Sequence, residues 1–192
     1  MAEQTISTTR ATTAERPAPG TYEIDRSHSM VEFVGRHLMV TKVRGHFGSY
    51  SGAITIAEPP GESSVNVTID AASIDTGDEK RDAHLRSPDF LDVENHPTLE
   101  FRSTGIDVGD DERFRITGDL TVHGETHPVT LDATFDGSFS DPWGGSRVGF
   151  TASTEIDREK WGLTWNVPLE TGGVLVGKKI RLDLTVSAVK QV

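Results

Sequence analysis

The stretch FRITGDLTVHGETHPVTLDATF, residues 114–135, decides the fold of this chain. Every second residue from Phe114 to Val122 is apolar or glycine, and the same alternation resumes from Val129 to Phe135. Because successive side chains of a β-strand point to opposite faces, each half predicts a strand with one buried face. The turn residues His123-Gly124-Glu125-Thr126 lie between them, so the two halves predict an antiparallel hairpin.

The same period of two recurs on both sides of this hairpin. It is seen in residues 31–37, 43–47, 54–56, 65–69, 99–103, 148–156 and 180–188. Roughly eight short strands separated by turn residues are typical of an all-β barrel or sandwich. A parallel sheet would need helical crossovers, which the pattern lacks, and closure into a barrel removes exposed edges. We therefore predict an antiparallel β-barrel.

One segment departs from the alternation. Asp78 is suited to cap a short helix over residues 79–86, which Ser87-Pro88 then ends because proline disfavours helical geometry in the residue before it. Phe90 and Leu91 follow and are expected to point back at the barrel. The segment predicts a short helical insertion that lies across one barrel end.

The bulk composition limits the classes of function. The 192 residues suit one domain, and we assign residues 1–20, rich in Thr, Ala and Pro, to a disordered leader and residues 21–192 to the barrel. The net charge of −11 argues against nucleic acid as a partner. The chain has no cysteine, and neither a secretory signal nor an apolar run long enough to span a membrane is evident. We therefore expect a cytoplasmic protein.

The inward positions of the strands mix large and very small residues. The small ones are Gly35, Gly45, Ser103, Gly118, Ala133 and Ala152. Small inward residues leave volume, but alternating sizes also fill the taper of a small barrel, so the residues alone favour a packed core and a ligand cavity equally. Few ionisable groups share the inward parity, with His37 the main exception. A cavity lined in this way suits a long apolar molecule.

The polar motifs carry no recognised chemistry. His123 and His127 flank the hairpin turn, but zinc needs further ligands, and we expect no metal site. Asp25 and His28 lie in DRSHS, residues 25–29, which we interpret as a local hydrogen-bond cluster at the barrel rim and not as a catalytic triad. His84 and the Arg81-Asp82 pair on the helix are expected to form ion pairs that fix the helix to the barrel. We predict no catalytic residue.

Longer motifs carry a family resemblance. The segments YEID (22–25), HSMVEF (28–33) and VRGHF (43–47) resemble the YceI family of lipocalin-like, polyisoprenoid-binding bacterial proteins. RDAHLRS (81–87), followed by Phe90, Asp92 and Pro97, is similar to the most diagnostic motif of that family. GDLTVHG (118–124) and GGVLVG (172–177) continue the resemblance, which covers about residues 21–189.

The resemblance implies an extended eight-stranded antiparallel barrel whose elongated apolar tunnel holds an isoprenoid lipid, either a polyisoprenoid or an isoprenoid quinone. It also implies a homodimer. We expect no cofactor beside the bound lipid. We expect the tunnel to be lined by Val31, Phe33, His37, Phe47, Val67, Leu85, Phe90, Phe101, Leu120, Leu131, Phe135, Phe150, Trp161, Leu182 and Leu184. Two alternatives remain at this point. One is an enzyme that acts on a lipid-like substrate through His28 or His37 with Asp25, and the other is a packed-barrel interaction module.

Overall fold

The computed structural model describes residues 16–38, 40–109, 112–140, 145–170 and 172–191. Within these ranges one α-helix and eleven strand segments form. The helix, α1, is Glu79–Arg86. The strands are β1 Gly20–Ile24, β2 Met30–His37, β3 Thr41–Phe47, β4 Tyr50–Ile56, β5 Ser64–Asp70, β6 Ile74–Asp75, β7 Thr98–Val108, β8 Arg113–Val122, β9 Glu125–Ser140, β10 Ser146–Asp157 and β11 Lys179–Lys190.

All eleven segments belong to one antiparallel sheet. The hydrogen-bonded order is β1-β4-β5-β7-β8-β9-β10-β11, and β1 pairs with β11 to close the ring. β2 pairs with β11 next to the stretch that pairs with β1, and β3 in turn pairs with β2. The short β6 follows β5 after a single turn and pairs with β3. Three positions of the ring thus consist of two segments each, namely β1 with β2, β4 with β3, and β5 with β6. The predicted eight-stranded antiparallel barrel is confirmed.

The predicted hairpin of residues 114–135 forms as β8 and β9. Val122 pairs with Glu125, so the turn consists of His123 and Gly124 alone, which is tighter than the four residues that the sequence indicates. Both turn residues have positive φ values, 52° and 76°. This is the backbone that a two-residue type I′ hairpin requires, and it fixes the register of the two strands.

Helix α1 forms over the predicted residues. The Asp78 carboxylate accepts hydrogen bonds from the backbone N–H groups of Lys80 and Arg81 at 3.0 and 3.1 Å. The bond from the Arg81 N–H is the main reason that the pKa of Asp78 lies below its ordinary value. Ser87, directly before Pro88, ends the helix. Phe90 and Leu91 are buried against the barrel, as predicted.

Hydrogen bonds to uncharged groups, and not the predicted ion pairs, fix α1 to the sheet. The buried Asp82 carboxylate accepts from the backbone N–H and the hydroxyl of Thr76 at 2.9 and 2.5 Å. The Arg86 guanidinium donates to the carbonyls of Ala72 and Ile74, and Arg81 donates to Thr76. The ion pair of His84 is with Asp89, five residues along the same segment. Asp82 and the two arginines therefore bond to groups of residues 72–76, just before the helix, and not to one another.

The barrel takes in the last residues that the sequence assigns to the leader. β1 begins at Gly20, and the Ala18 carbonyl accepts a hydrogen bond from the buried Tyr22 hydroxyl at 2.8 Å. The rest of the predicted leader, residues 1–15, lies outside the described residues. Among the described residues, no helix combines the length and apolar character needed to cross a membrane.

Candidate functional site

The barrel encloses a cavity of about 1310 Å³. All eight strand positions and the helix segment contribute to its wall. Pockets for small ligands span roughly 300–1,000 Å³, so this cavity is larger than a compact metabolite needs. The packed-barrel hypothesis is therefore not supported, and the question left open by the mixed sizes of the inward residues is decided in favour of a cavity.

Fourteen of the fifteen residues predicted to line the tunnel lie in the cavity wall. They are Val31, Phe33, His37, Phe47, Val67, Leu85, Phe90, Phe101, Leu120, Leu131, Phe135, Phe150, Leu182 and Leu184. Strand parity and register place twelve of them there, because cross-strand partners such as Leu182 and Phe33 share a face. The other two, Leu85 and Phe90, reach the wall from α1 and from the turn after it.

Trp161 is the exception. Its side chain is buried in the core, and its indole N–H donates to the Leu120 carbonyl at 2.9 Å. The His127 ring packs edge-on against it, with centroids 5.1 Å apart. Trp161 follows β10 in a single turn, where strand parity no longer applies, and it anchors that turn to β8 instead of lining the cavity. Trp165, four residues later, does line it.

An aromatic cluster lines the cavity at the helix end. The His84 ring lies 4.5 Å from the Trp165 ring and 5.1 Å from that of Phe90, centroid to centroid. Phe90 and Trp165 are 5.3 Å apart. Helix α1 supplies His84, the turn after it supplies Phe90, and the segment between β10 and β11 supplies Trp165. Three separate parts of the chain therefore meet at this end.

Arg158 lies beside this cluster in the cavity wall and was missed by the sequence reasoning. It is 3% exposed, and its guanidinium carbon sits 5.9 Å from the centre of the Phe90 ring. Its N–H groups donate to the backbone carbonyls of Gly177, Trp165, Val176 and Leu163. Burial lowers the pKa of Arg158, while the neighbouring Asp157 and Glu159 oppose that shift. A charged residue directly after a strand gives no sign in the sequence that it turns inward.

Ionisable side chains also border both cavity ends, at positions outside the inward strand parity that His37 shares. At the helix end they are Arg36, Asp78, Lys80, Arg81 and His84, together with Arg158. At the opposite end, near the β7–β8 turn, they are Arg16, Glu58, Glu112 and Arg113. Nearly all of them lie in turns or at the ends of strands and helix, where alternation carries no information. The middle of the cavity remains apolar.

The Asp25 cluster is a hydrogen-bond network, as predicted, and it lies between β1 and β2 beside Ser187 of β11. Asp25 accepts from the Ser27 hydroxyl at 2.5 Å, from Arg147 at 2.5 Å and pairs with His28 Nδ1 at 2.8 Å. These bonds, that of Ser27 first, hold the pKa of Asp25 far below its ordinary 3.8.

The cluster lacks the geometry of a catalytic triad. The Ser27 hydroxyl approaches the same His28 nitrogen, Nδ1, that Asp25 engages, whereas a triad uses the two different ring nitrogens. The exposed His28 is also absent from the cavity wall. Asp25 lies near the start of the eight-residue strand β2 and His37 lies at its end, roughly 23 Å away along the strand. Asp25 and His37 therefore cannot act together either.

The histidines of the hairpin separate. His127 packs on Trp161, whereas His123 meets His96 and Asp92, and the ligand atoms of these three residues lie within 4.8 Å of one another. The sequence reasoning missed this group because Asp92 and His96 lie about thirty residues before His123.

Comparison with known proteins agrees with this architecture. Residues 22–188 match the sequence model of the YceI-like domain family. The protein YceI of Escherichia coli O157:H7 is 39% identical over 173 residues, which are 88% of this chain and 87% of that protein. The crystal structure of BcnA from Burkholderia cenocepacia has a TM-score of 0.73 at 21% identity, covering 85% of this chain and 98% of that one.

A polyisoprenoid binding domain from Saccharophagus degradans, implicated in plant cell wall breakdown, has the same fold. Its TM-score is 0.68 at 14% identity, and the match covers 88% of this chain and 98% of that one. The barrel, its helical insertion and the sequence match thus span the same residues. The chain belongs to the YceI-like domain family.

Proposed function

We propose that this protein binds a long isoprenoid lipid inside its barrel and carries or stores it without covalent chemistry. The observation that carries the proposal is the cavity of about 1310 Å³, whose middle is lined by aliphatic and aromatic side chains. Each methylene moved from water into such surroundings gains about 0.8 kcal/mol. A long hydrocarbon chain is therefore the ligand class that gains most from this interior.

Two further points support a lipid chain with a small polar head. The Saccharophagus domain of the same fold is described as polyisoprenoid-binding. In addition, the charged groups of this cavity lie at its ends, so a ligand can keep its chain in the largely apolar middle and its head near water. A polyisoprenoid alcohol and an isoprenoid quinone both have this form. Neither the predicted homodimer nor the predicted cytoplasmic location is needed for such binding, and both stay predictions.

Extraction of the protein purified from a bacterial host tests the proposal. Organic extraction followed by mass spectrometry is expected to yield a long-chain isoprenoid in a constant ratio to protein. A delipidated sample titrated with a prenyl quinone is expected to show quenching of tryptophan fluorescence. Protein that is recovered empty and also fails to bind the prenyl quinone would exclude the proposed function.

The wall residue Trp165 allows the binding to be located. Trp165 lines the cavity, whereas Trp161 is buried outside it. Trp165→Phe keeps an aromatic ring in the cluster with His84 and Phe90, and it is expected to remove most of the quenching by the quinone. Quenching that is unchanged in Trp165→Phe would place the ligand elsewhere on the protein.

A further inference from the structure

A second cluster of chemically active side chains lies outside the cavity. Asp92, His96 and His123 each offer one ligand atom, all within 4.8 Å of one another, and each residue is half-buried. None of the three belongs to the cavity wall. The proposed lipid site therefore does not account for them.

The backbone holds Asp92 and His96 on one side of a single turn. The His96 N–H donates to the Asp92 carbonyl at 2.8 Å, which closes a single turn that starts at Asp92 with a φ of 47°. The ligand atoms of the two side chains lie within 4.8 Å of each other across this turn. The Asn95 amide donates to Asp92 Oδ2 at 2.9 Å, and this bond orients the carboxylate and leaves Oδ1 without that partner. Such outer hydrogen bonds are typical of carboxylates that bind metals.

The third side chain comes from the β8–β9 turn. His123 has a φ of 52°, and its ring lies 4.7 Å from that of His96 at an angle of 59°. Gly124 allows this approach, because a Cβ atom there would lie only 2.7 Å from His96 Cε1. Two tight turns, one after α1 and one between strands, thus present two imidazoles and one carboxylate to the same point.

We propose that Asp92, His96 and His123 form a binding site for a divalent transition-metal ion of the zinc type. Imidazole and carboxylate are ligands of Zn²⁺ at about 2.0–2.2 Å, and three protein ligands leave a fourth position for water. At those bond lengths neighbouring ligand atoms are roughly 3.3 Å apart. Rotation of the two imidazoles about χ1 and χ2 can bring the ligand atoms from within 4.8 Å of one another to this shorter distance.

The electrostatic surroundings favour a cation. The chain carries a net charge of −11, and the exposed Glu94 and Glu125 lie beside the ligand-bearing turns in the sequence. A bound ion would join the segment after α1 to the β8–β9 hairpin and so hold the helical insertion against the barrel. Ligation of this kind stabilises the folded state because the unfolded chain does not preform the site.

Calorimetric titration of the untagged protein with zinc chloride at pH 7.5 tests the site. The wild type is expected to bind one zinc ion per chain, and the midpoint of thermal unfolding is expected to rise with zinc. His96→Gln and His123→Asn should each weaken zinc binding at least tenfold and remove that rise. Asparagine is chosen at position 123 because it tolerates positive φ. Asp92→Asn, which has the same shape, keeps the backbone and removes the charge.

His46→Gln serves as the matched control, because His46 is an exposed histidine on β3. It is expected to bind zinc like the wild type. Circular dichroism without metal shows whether each variant is folded. The proposal is overturned if the wild type takes up no stoichiometric zinc, or if folded His96→Gln and Asp92→Asn bind zinc like His46→Gln. Because the site lies outside the cavity, either result leaves the lipid-binding test unaffected.

Discussion

The Phe101 ring lies over Gly118 of the neighbouring strand. A Cβ atom at Gly118 would come within 2.5 Å of Phe101 Cζ and within 2.6 Å of the Arg102 carbonyl oxygen. The same arrangement recurs where the Phe33 ring covers Gly45, its register partner across β2 and β3. Aromatic rings of the neighbouring strands thus fill the space that these glycines leave.

Gly118→Ala is expected to lower the free energy of unfolding by about 1–3 kcal/mol, because the new methyl group overpacks the wall. The Phe101 ring can turn away, but the Arg102 carbonyl belongs to the backbone of the paired strand and cannot. Urea denaturation measures the change. Gly105→Ala on β7 is the control, since no atom lies within 4 Å of a Cβ built there, and it should change stability by less than about 0.5 kcal/mol. Equal effects of the two substitutions would contradict this account.

Strand parity predicted much of the barrel and of its wall. Side chains of a strand alternate between two faces, so the apolar face identifies which side chains point inward along a strand such as β11. The source of the cavity was predicted less well. Gly45 and Gly118 appeared to leave volume, but rings from neighbouring strands fill it. Ala133 and Ala152 do border the open space. One strand's sequence does not reveal which ring of the next strand covers it.

Sites made by turns were not predictable from alternation. Arg158 follows β10 in a turn and points inward only because carbonyls from residues 163–177 converge on it. Asp92 and His96 meet His123 because the barrel brings the segment after α1 beside the β8–β9 hairpin. These contacts join residues that are far apart in the sequence, and no local pattern predicts which of them meet.

Ala152→Phe is expected to weaken binding of a prenyl quinone. Ala152 pairs with Ala133 on one side and Leu184 on the other, and all three face the cavity, so the larger ring takes space from the ligand. Displacing two methylenes costs about 1.6 kcal/mol, which is about tenfold in Kd. Fluorescence titration with the prenyl quinone measures the Kd.

Thr151→Phe is the matched control for this substitution, because Thr151 is exposed on the outer face of the same strand. It adds the same ring without entering the cavity, and its Kd is expected to equal that of the wild type. Tight binding retained by a folded Ala152→Phe variant would show that the ligand does not pass this part of the barrel.

The Asp25 network is expected to make stability depend on acid pH. Hydrogen bonds from Ser27, Arg147 and His28 hold the pKa of Asp25 in the folded protein well below the 3.8 of the free side chain. The network therefore stabilises the fold fully above about pH 4. This contribution is lost progressively as the pH falls from there toward the lowered pKa, since protons bind the unfolded chain first. Urea denaturation at pH 5 and pH 2.5 measures the loss, which should be larger in the wild type than in Asp25→Asn. Parallel losses in the two proteins would exclude Asp25 as the source.

Arg158 is expected to hold the wall segment of residues 163–177 against the barrel, because the N–H groups of its guanidinium donate to several backbone carbonyls of that segment. Its Nε bonds the Gly177 carbonyl at 3.0 Å, and one Nη bonds that of Trp165 at 3.0 Å. Arg158→Met keeps most of the buried volume but leaves these carbonyls without donors, at a cost of roughly 3 kcal/mol in the free energy of unfolding. Arg158→Lys keeps the charge on a single nitrogen, which cannot reach acceptors spread around a planar guanidinium, so it should recover less than half of the loss.

Limited proteolysis separates a local effect of Arg158 from a global one. Because the segment carries the wall residues Trp165 and Val176, its release should bring cleavage within residues 163–177 before the barrel unfolds, and a bound prenyl quinone should dissociate faster. In Arg158→Lys both effects should be intermediate, since one or two of the carbonyls regain a donor. If Arg158→Lys instead matches the wild type in stability, cleavage and dissociation, the charge alone is sufficient. The geometry of the guanidinium would then not be what fixes this wall.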